Sequence, residues 1–202
     1  MHLFSAIFIG VVANIDNLII GCSYGMKKTK IPWLSNIIIA AISMLFSLIS
    51  LFAGHWISTY IQPHITNTIG GLLLLIIGAL TVWSSFYERS KKSNQTQSPF
   101  LKVIYEPKDA DLDQNHSISM KESLLLGTAL AINSISTSFS VGLTSASIVS
   151  FVASIGLFSV LFISIGGVMG KSIQKRIKNM ELYAPILSGV LLILIGLYEI
   201  IY

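Results

Sequence analysis

The sequence predicts an all-α integral membrane protein with six transmembrane helices in two inverted three-helix repeats. Three observations carry that prediction: an apolar composition, a one-sided distribution of positive charge, and an internal repeat at a nearly constant offset. Of the 202 residues, 53% are hydrophobic and only 11% are charged, whereas an ordinary soluble domain carries about 25% charged residues. Mean hydropathy is +0.76. This balance excludes a disordered chain, a soluble enzyme of ordinary composition and a secreted disulfide scaffold. A single cysteine, Cys22, also excludes an intramolecular disulfide and a cysteine-based zinc site.

Apolar runs of about 20 residues are long enough to cross a bilayer as helices. Six occur in order: Leu3–Gly25, Leu34–Thr59, Ile65–Phe86, Glu122–Thr144, Ser147–Gly170 and Leu182–Tyr202. Residues 1–86 form a first three-helix unit, residues 87–121 a cytoplasmic loop and residues 122–202 a second unit. The first run is not a cleavable signal peptide, since no Lys or Arg precedes Lys27 and no small-x-small site follows it.

The 13 basic residues orient the spans. Lys27, Lys28 and Lys30 lie between spans one and two. Arg89, Lys91, Lys92, Lys102, Lys108 and Lys121 lie between spans three and four, and Lys171, Lys175, Arg176 and Lys178 between spans five and six. The alternate loops and both termini have none. Positive charge accumulates on the cytoplasmic side, so both termini are expected outside a cell membrane. The basic pI of about 9.2 therefore reflects orientation in the bilayer and not a nucleic-acid partner. Trp33 and Trp83 fall at inner span ends and Trp56 at an outer one, where an amphipathic ring is most stable.

Spans one and four align at an offset of 117, with Gly10, Asp16, Ser23 and Gly25 on Gly127, Asn133, Ser140 and Gly142. Spans three and six align at 118, placing Gly71 and Gly78 on Gly189 and Gly196. Spans two and five match more weakly at 116, with Ser43, Ser50 and Gly54 on Ser159, Gly166 and Gly170. Three spans is an odd number, so the second copy must insert upside down, the arrangement of many transporters.

Asp16, in the middle of span one, is the first candidate site residue. A carboxylate at that depth costs about 2.5–3.5 kcal/mol on the insertion scale and is usually kept to bind a cation or carry a proton. Asn14 and Asn17 flank it and offer carbonyl oxygens. Glu199 lies one turn from the outer end of span six, close enough to reach water. In span four, Asn133, Ser136, Thr137 and Ser140 are spaced i, i+3, i+4, i+7, which places them on one helix face; Asn133 is the repeat mate of Asp16. Such oxygen donors suit Mn, Mg or Ca, and the same hydroxyls could serve as interhelical hydrogen bonds. Ser43, Ser47, Ser50 and Gly54 read as packing positions. His2, His55 and His64 make no ligand spacing.

The cytoplasmic loop ends in a second cation signature. Asp111, Asp113, Asn115, Ser119 and Glu122 supply oxygens at positions 1, 3, 5, 9 and 12 of the EF-hand pattern, with the Ser117 carbonyl at position 7. Position 6 should be Gly, because the turn needs positive φ; here it is His116. Ser119 and Glu122 fit equally well as a capping box for the start of span four. The loop thus reads either as a site for Ca or Mn or as a cap among solvated acids.

The run Asn14-Ile15-Asp16-Asn17, followed by Gly21, Ser23-Tyr24-Gly25, Lys27-Lys28 and Ile31-Pro32, resembles the manganese-exporter (MntP) family, and more specifically its sporulation membrane protein (YtaF-like) branch. The Asp- and Asn-rich loop before span four is similar to an insertion of that branch. The resemblance covers nearly the whole chain. It implies efflux of a divalent cation, manganese first, as substrate, in a spore-forming Gram-positive bacterium. It implies an acid in span one, matched by Asp16, and a second in span four, where Asn133 stands instead and cannot ionise. No permanently bound cofactor is expected. No nucleophile–base pair, phosphate loop or redox ligand set points to an enzyme. Six spans leave room for a homodimer, on which no motif decides. The rival expectations are a non-transporting sporulation membrane protein with a cation-responsive loop, and an exporter of small organic solutes.

Overall fold

In hydrocarbon every backbone N–H and C=O must be satisfied inside its own segment, and the apolar runs accordingly fold as helices. The computed structural model describes residues 3–87, 103, 107–144, 147–172 and 180–201. In these residues seven α-helices follow one another: α1 (Leu3–Ala13), α2 (Ile15–Met26), α3 (Trp33–Ser58), α4 (Pro63–Tyr87), α5 (Met120–Leu143), α6 (Ile148–Ser172) and α7 (Met180–Ile201). A short 3₁₀ turn, Pro107–Asp109, precedes α5. Among the described residues there is no strand, only an isolated parallel bridge between Lys30 and Ser117.

Four helical segments are long and apolar enough to cross a bilayer: Ile7–Met26, Trp33–Ser58, His64–Trp83 and Ile148–Ser172. A fifth qualifies if the two parts of α5, Met120–Ile132 and Ser134–Leu143, are counted together across a bend of 45°. In α7 the described apolar stretch is Gly189–Tyr198, too short by itself to span. The described residues therefore carry four or five candidate spans. Two expected elements need correction. Span one is interrupted at Asn14 and forms two helices, and span four is bent at Asn133. The segment Glu88–Gln97, expected to be polar and mobile, lies outside the described residues, as do His2 and the side chains of Asn133 and Glu199.

Helices pack in pairs: α3 along α5, α2 along α6 and α4 along α7, with α3 also touching α6 and α4 touching α5. Close approach explains the glycines at these seams. A methyl on Gly78 would stand 2.5 Å from the Gly189 carbonyl oxygen, and one on Gly196 would stand 2.5 Å from that of Gly71. Likewise a methyl on Gly54 would lie 3.1 Å from the Gly142 Cα, and one on Gly25 would lie 3.0 Å from the Gly170 Cα. Small residues let backbones meet where lipid provides no hydrophobic drive for association. Apolar side chains gather in two clusters, one around Ile9, Leu51, Leu74, Phe151 and Leu192, the other around Tyr24, Ile39, Leu126 and Ile163. Ala110 and Ile118, from the segment before α5, join the second cluster. Outward-facing Trp33, Trp56 and Trp83 are 66%, 66% and 73% exposed, so they serve the surroundings and not the core.

Candidate metal centre

Asn14 creates the first candidate site by ending one helix and starting another. Its backbone sits at φ −108°, ψ 9°, in the sparsely allowed bridge region. Asparagine side chains offer the backbone local alternatives to helix bonds, and Asn14 does so here: Nδ2 donates to the Gly10 carbonyl at 2.8 Å. Its Oδ1 accepts from Asn17 Nδ2 at 2.8 Å, and the same Nδ2 reaches Ser159 Oγ on α6 at 3.1 Å. Asp16 thereby falls in the first turn of α2, where free N–H groups and the helix dipole favour an anion. The Asn17 N–H donates to Asp16 Oδ1 at 2.8 Å. Asp16 is half-buried, and Asn14 and Asn17 are 1% and 3% exposed.

The structure brings Asp16, Asn14 and Asn17 together but redistributes their roles. The Asn14 amide oxygen, expected as a donor to a cation, is engaged by Asn17. Asn17 Oδ1 is instead buried with no hydrogen-bond partner. A buried polar atom left unsatisfied costs about 1–3 kcal/mol, so this oxygen is the one placed to accept a ligand.

Of the expected polar face of α5, Ser136, Thr137 and Ser140 lie together in the segment Ser134–Leu143, beyond the bend at Asn133. Ser136 is exposed, whereas Thr137 and Ser140 are 3% and 0% exposed. Ser140 Oγ is turned back to the Ser136 carbonyl at 3.0 Å, a bond inside its own helix. Buried hydroxyls without partners occur elsewhere: Ser138 on α5, and Ser43 and Ser47 on α3, the helix packed along it. The sequence marks Ser43 and Ser47 as packing positions. Their unmet hydrogen bonds carry no sequence signal beyond the four-residue spacing.

The segment before α5 forms the second candidate site. His116 takes φ 60° and Gln114 φ 55°, so histidine adopts the left-handed turn that the pattern reserves for glycine. Asp111 Oδ2 accepts from the His116 N–H at 3.1 Å and from Thr29 Oγ1 at 3.4 Å, while its Oδ1 is buried without a partner. Asn115 N–H and Nδ2 donate to Asp113 at 3.2 and 2.7 Å, and Asn115 Oδ1 accepts from Ser117 N–H at 2.8 Å. Glu122, 5% exposed, accepts from Leu112 N–H at 2.7 Å through Oε1 and from Ser119 N–H and Oγ at 2.8 Å through Oε2. Oxygens of Asp111, Asp113 and Glu122 lie within 4.8 Å of one another. The capping box of Ser119 and Glu122 is also complete, so the same glutamate starts α5 and faces the two aspartates.

With this geometry in place, comparison with known proteins decides the family. A family described as "Putative manganese efflux pump" (Mntp) matches residues 1–82 and 37–200. The chain belongs to this family. Among similar proteins, "Probable sporulation protein YtaF" of Bacillus subtilis is 27% identical, over 99% of this chain and 100% of the relative. "Putative manganese efflux pump MntP" of Clostridium perfringens is 24% identical over 98% of this chain and 93% of its own length. "Putative manganese efflux pump MntP 1" of Clostridium botulinum is 29% identical over 72% and 70%. No solved structure matches the chain. The family's description and the relatives' names agree with a membrane protein of the manganese-efflux and sporulation group.

Proposed function

We propose that this protein exports a divalent cation, Mn²⁺ first, by alternating access between two inverted three-helix halves in the cell membrane. The observation that carries the reading is Asp16 at the start of α2, beside the partnerless, buried Asn17 Oδ1. A carboxylate and an amide oxygen at a helix break inside a membrane span suit a hard or borderline cation. Asn14 fixes the break, and Asn133, Ser136, Thr137 and Ser140 belong to the matching segment of the second half. Family membership supports the substrate class, because the relatives are described as manganese efflux pumps.

The six-span inverted arrangement has its own support. A twofold repeat should turn each contact into a second one between the equivalent residues. By the sequence offsets, the Gly78–Gly189 contact maps onto Gly196–Gly71 and the Gly54–Gly142 contact onto Gly170–Gly25. The two helix interruptions, at Asn14 and at Asn133, also fall within a few residues of equivalent places. The Lys and Arg distribution favours both termini outside.

The test is total cell manganese under manganese load, with calcium, magnesium, iron and zinc in the same samples, in cells carrying wild type, Asp16→Ala or empty vector. Lower manganese with wild type alone is expected. Equal manganese in all three, with equal amounts of inserted protein, sinks the reading.

A second reading is a non-transporting sporulation membrane protein with a cation-responsive loop. The full-length similarity to the Bacillus sporulation protein favours it, and so does Asn133 in place of a second acid. It predicts that Asp111→Ala abolishes function while Asp16→Ala leaves it intact, read as sporulation efficiency.

A further inference from the structure

The structure assigns a binding site for an oxygen-seeking divalent cation, Ca²⁺ or Mn²⁺, to the cytoplasmic segment Asp111–Glu122, and through it a tie between the inner ends of the two halves. Three observations meet there. The first is the ligand register: Asp111, Asp113, Asn115, the Ser117 carbonyl, Ser119 and Glu122 stand at the positions from which a twelve-residue loop encloses one ion. The second is size. Ligands on opposite sides of an ion bound at about 2.3–2.6 Å are at most about 5 Å apart, and the three carboxylates offer oxygens within 4.8 Å of one another. The third is an unmet demand: Asp111 Oδ1 is buried and accepts no hydrogen bond, although Oδ2 of the same group accepts two. Among the described residues no Lys, Arg or His is ion-paired with Asp111, Asp113 or Glu122; Lys27 is paired with Asp109. Three carboxylates held together without a counter-charge repel one another, and a divalent ion removes that repulsion.

The site's surroundings say what occupancy would hold. Lys30 N–H donates to the His116 carbonyl and Ile118 N–H to the Lys30 carbonyl, both at 2.9 Å. Ser35 Oγ at the start of α3 donates to the Ile118 carbonyl at 2.7 Å. The Tyr24 hydroxyl on α2 donates to the Pro107 carbonyl at 2.6 Å and accepts from Ala110 N–H at 3.0 Å. The loop is thus fastened to α2 and α3 of the first half, while Glu122 is the first turn of α5 in the second. An ion joining Glu122 to Asp111 and Asp113 links the two. This inference does not depend on transport through Asp16.

The full chain, purified in detergent and freed of metal with chelator, is titrated calorimetrically with CaCl₂, MnCl₂ and, as a smaller ion that fits this loop less well, MgCl₂. Wild type is expected to bind Ca²⁺ or Mn²⁺, and Asp16→Ala to retain that binding. Asp111→Asn and Asp113→Asn are expected to weaken it by roughly tenfold or more. Asp113 is exposed, so its substitution leaves folding intact, with helix content checked by circular dichroism. Amide hydrogen exchange gives an independent reading: the ion should slow exchange at Leu112 and Ile118 in wild type but not in Asp113→Asn. Absence of binding in wild type overturns the proposal. So does unchanged affinity in both loop variants, and so does binding abolished by Asp16→Ala alone, which would place the ion in the membrane and leave the transport reading standing.

Discussion

Asn14 shows how one side chain can reshape a membrane helix. By bonding the Gly10 carbonyl at 2.8 Å, it satisfies a group that a helix break would otherwise leave bare in hydrocarbon. The break then gives Asp16 a helix start of its own. Asn17 has the more direct role, since its Nδ2 is spent on Asn14 and Ser159 and its Oδ1 is free. Replacing Asn17 by Ala is expected to cut manganese export by roughly tenfold, the scale typical of losing a group that supports a metal site, with membrane insertion unchanged. Cell manganese and the amount of inserted protein, measured together, check it; export at the wild-type level excludes Asn17 from the path. The Asp16–Asn17 neighbourhood was legible from residue types alone. Which of the two amide oxygens is available was not, because that depends on the contact with Ser159 on α6, 142 positions away in sequence.

At the scale of elements, the helix seams rest on glycine rather than on large apolar side chains. The α4–α7 seam brings Gly78 against Gly189 and Gly71 against Gly196. Gly78→Leu is expected to destabilise the protein by about 1–3 kcal/mol, the usual cost of overpacking a close contact. By contrast Leu80→Ile, an isomeric swap at a position 62% exposed, should be nearly silent. Thermal unfolding in detergent, followed by circular dichroism, compares the two. Equal melting temperatures would mean that the seam is looser than drawn. The four or five candidate spans could be read from apolar length, but the bend in α5 could not. It carries no proline, and the 45° bend falls at Asn133, between Met120–Ile132 and the segment Ser134–Leu143 that holds Ser136, Thr137 and Ser140.

For the whole molecule, the charge distribution predicts the orientation. All Lys and Arg fall in alternate loops, so a phosphatase reporter that is active only outside the cytoplasm should be active when fused after Tyr202. The same reporter inserted between Arg89 and Lys102 should be inactive. The opposite pattern would invert the orientation and place the Asp111–Glu122 segment outside, where its cation would come from the medium.

The sequence by itself determined the membrane character, the helical class and the family, and it named the residues proposed for both candidate sites. Each of these depends on apolar run length, charge placement or ligand spacing, which are local along the chain. Tertiary structure decided which oxygens are spent and which are left over, because a hydrogen bond is settled by whatever neighbour packing supplies. It also decided that His116 takes the left-handed turn usually given to glycine, within a segment held from both sides by Lys30 and Ser35. Local preference disfavours that conformation only modestly, and the long-range bonds from the α2–α3 turn are available only once the chain has folded.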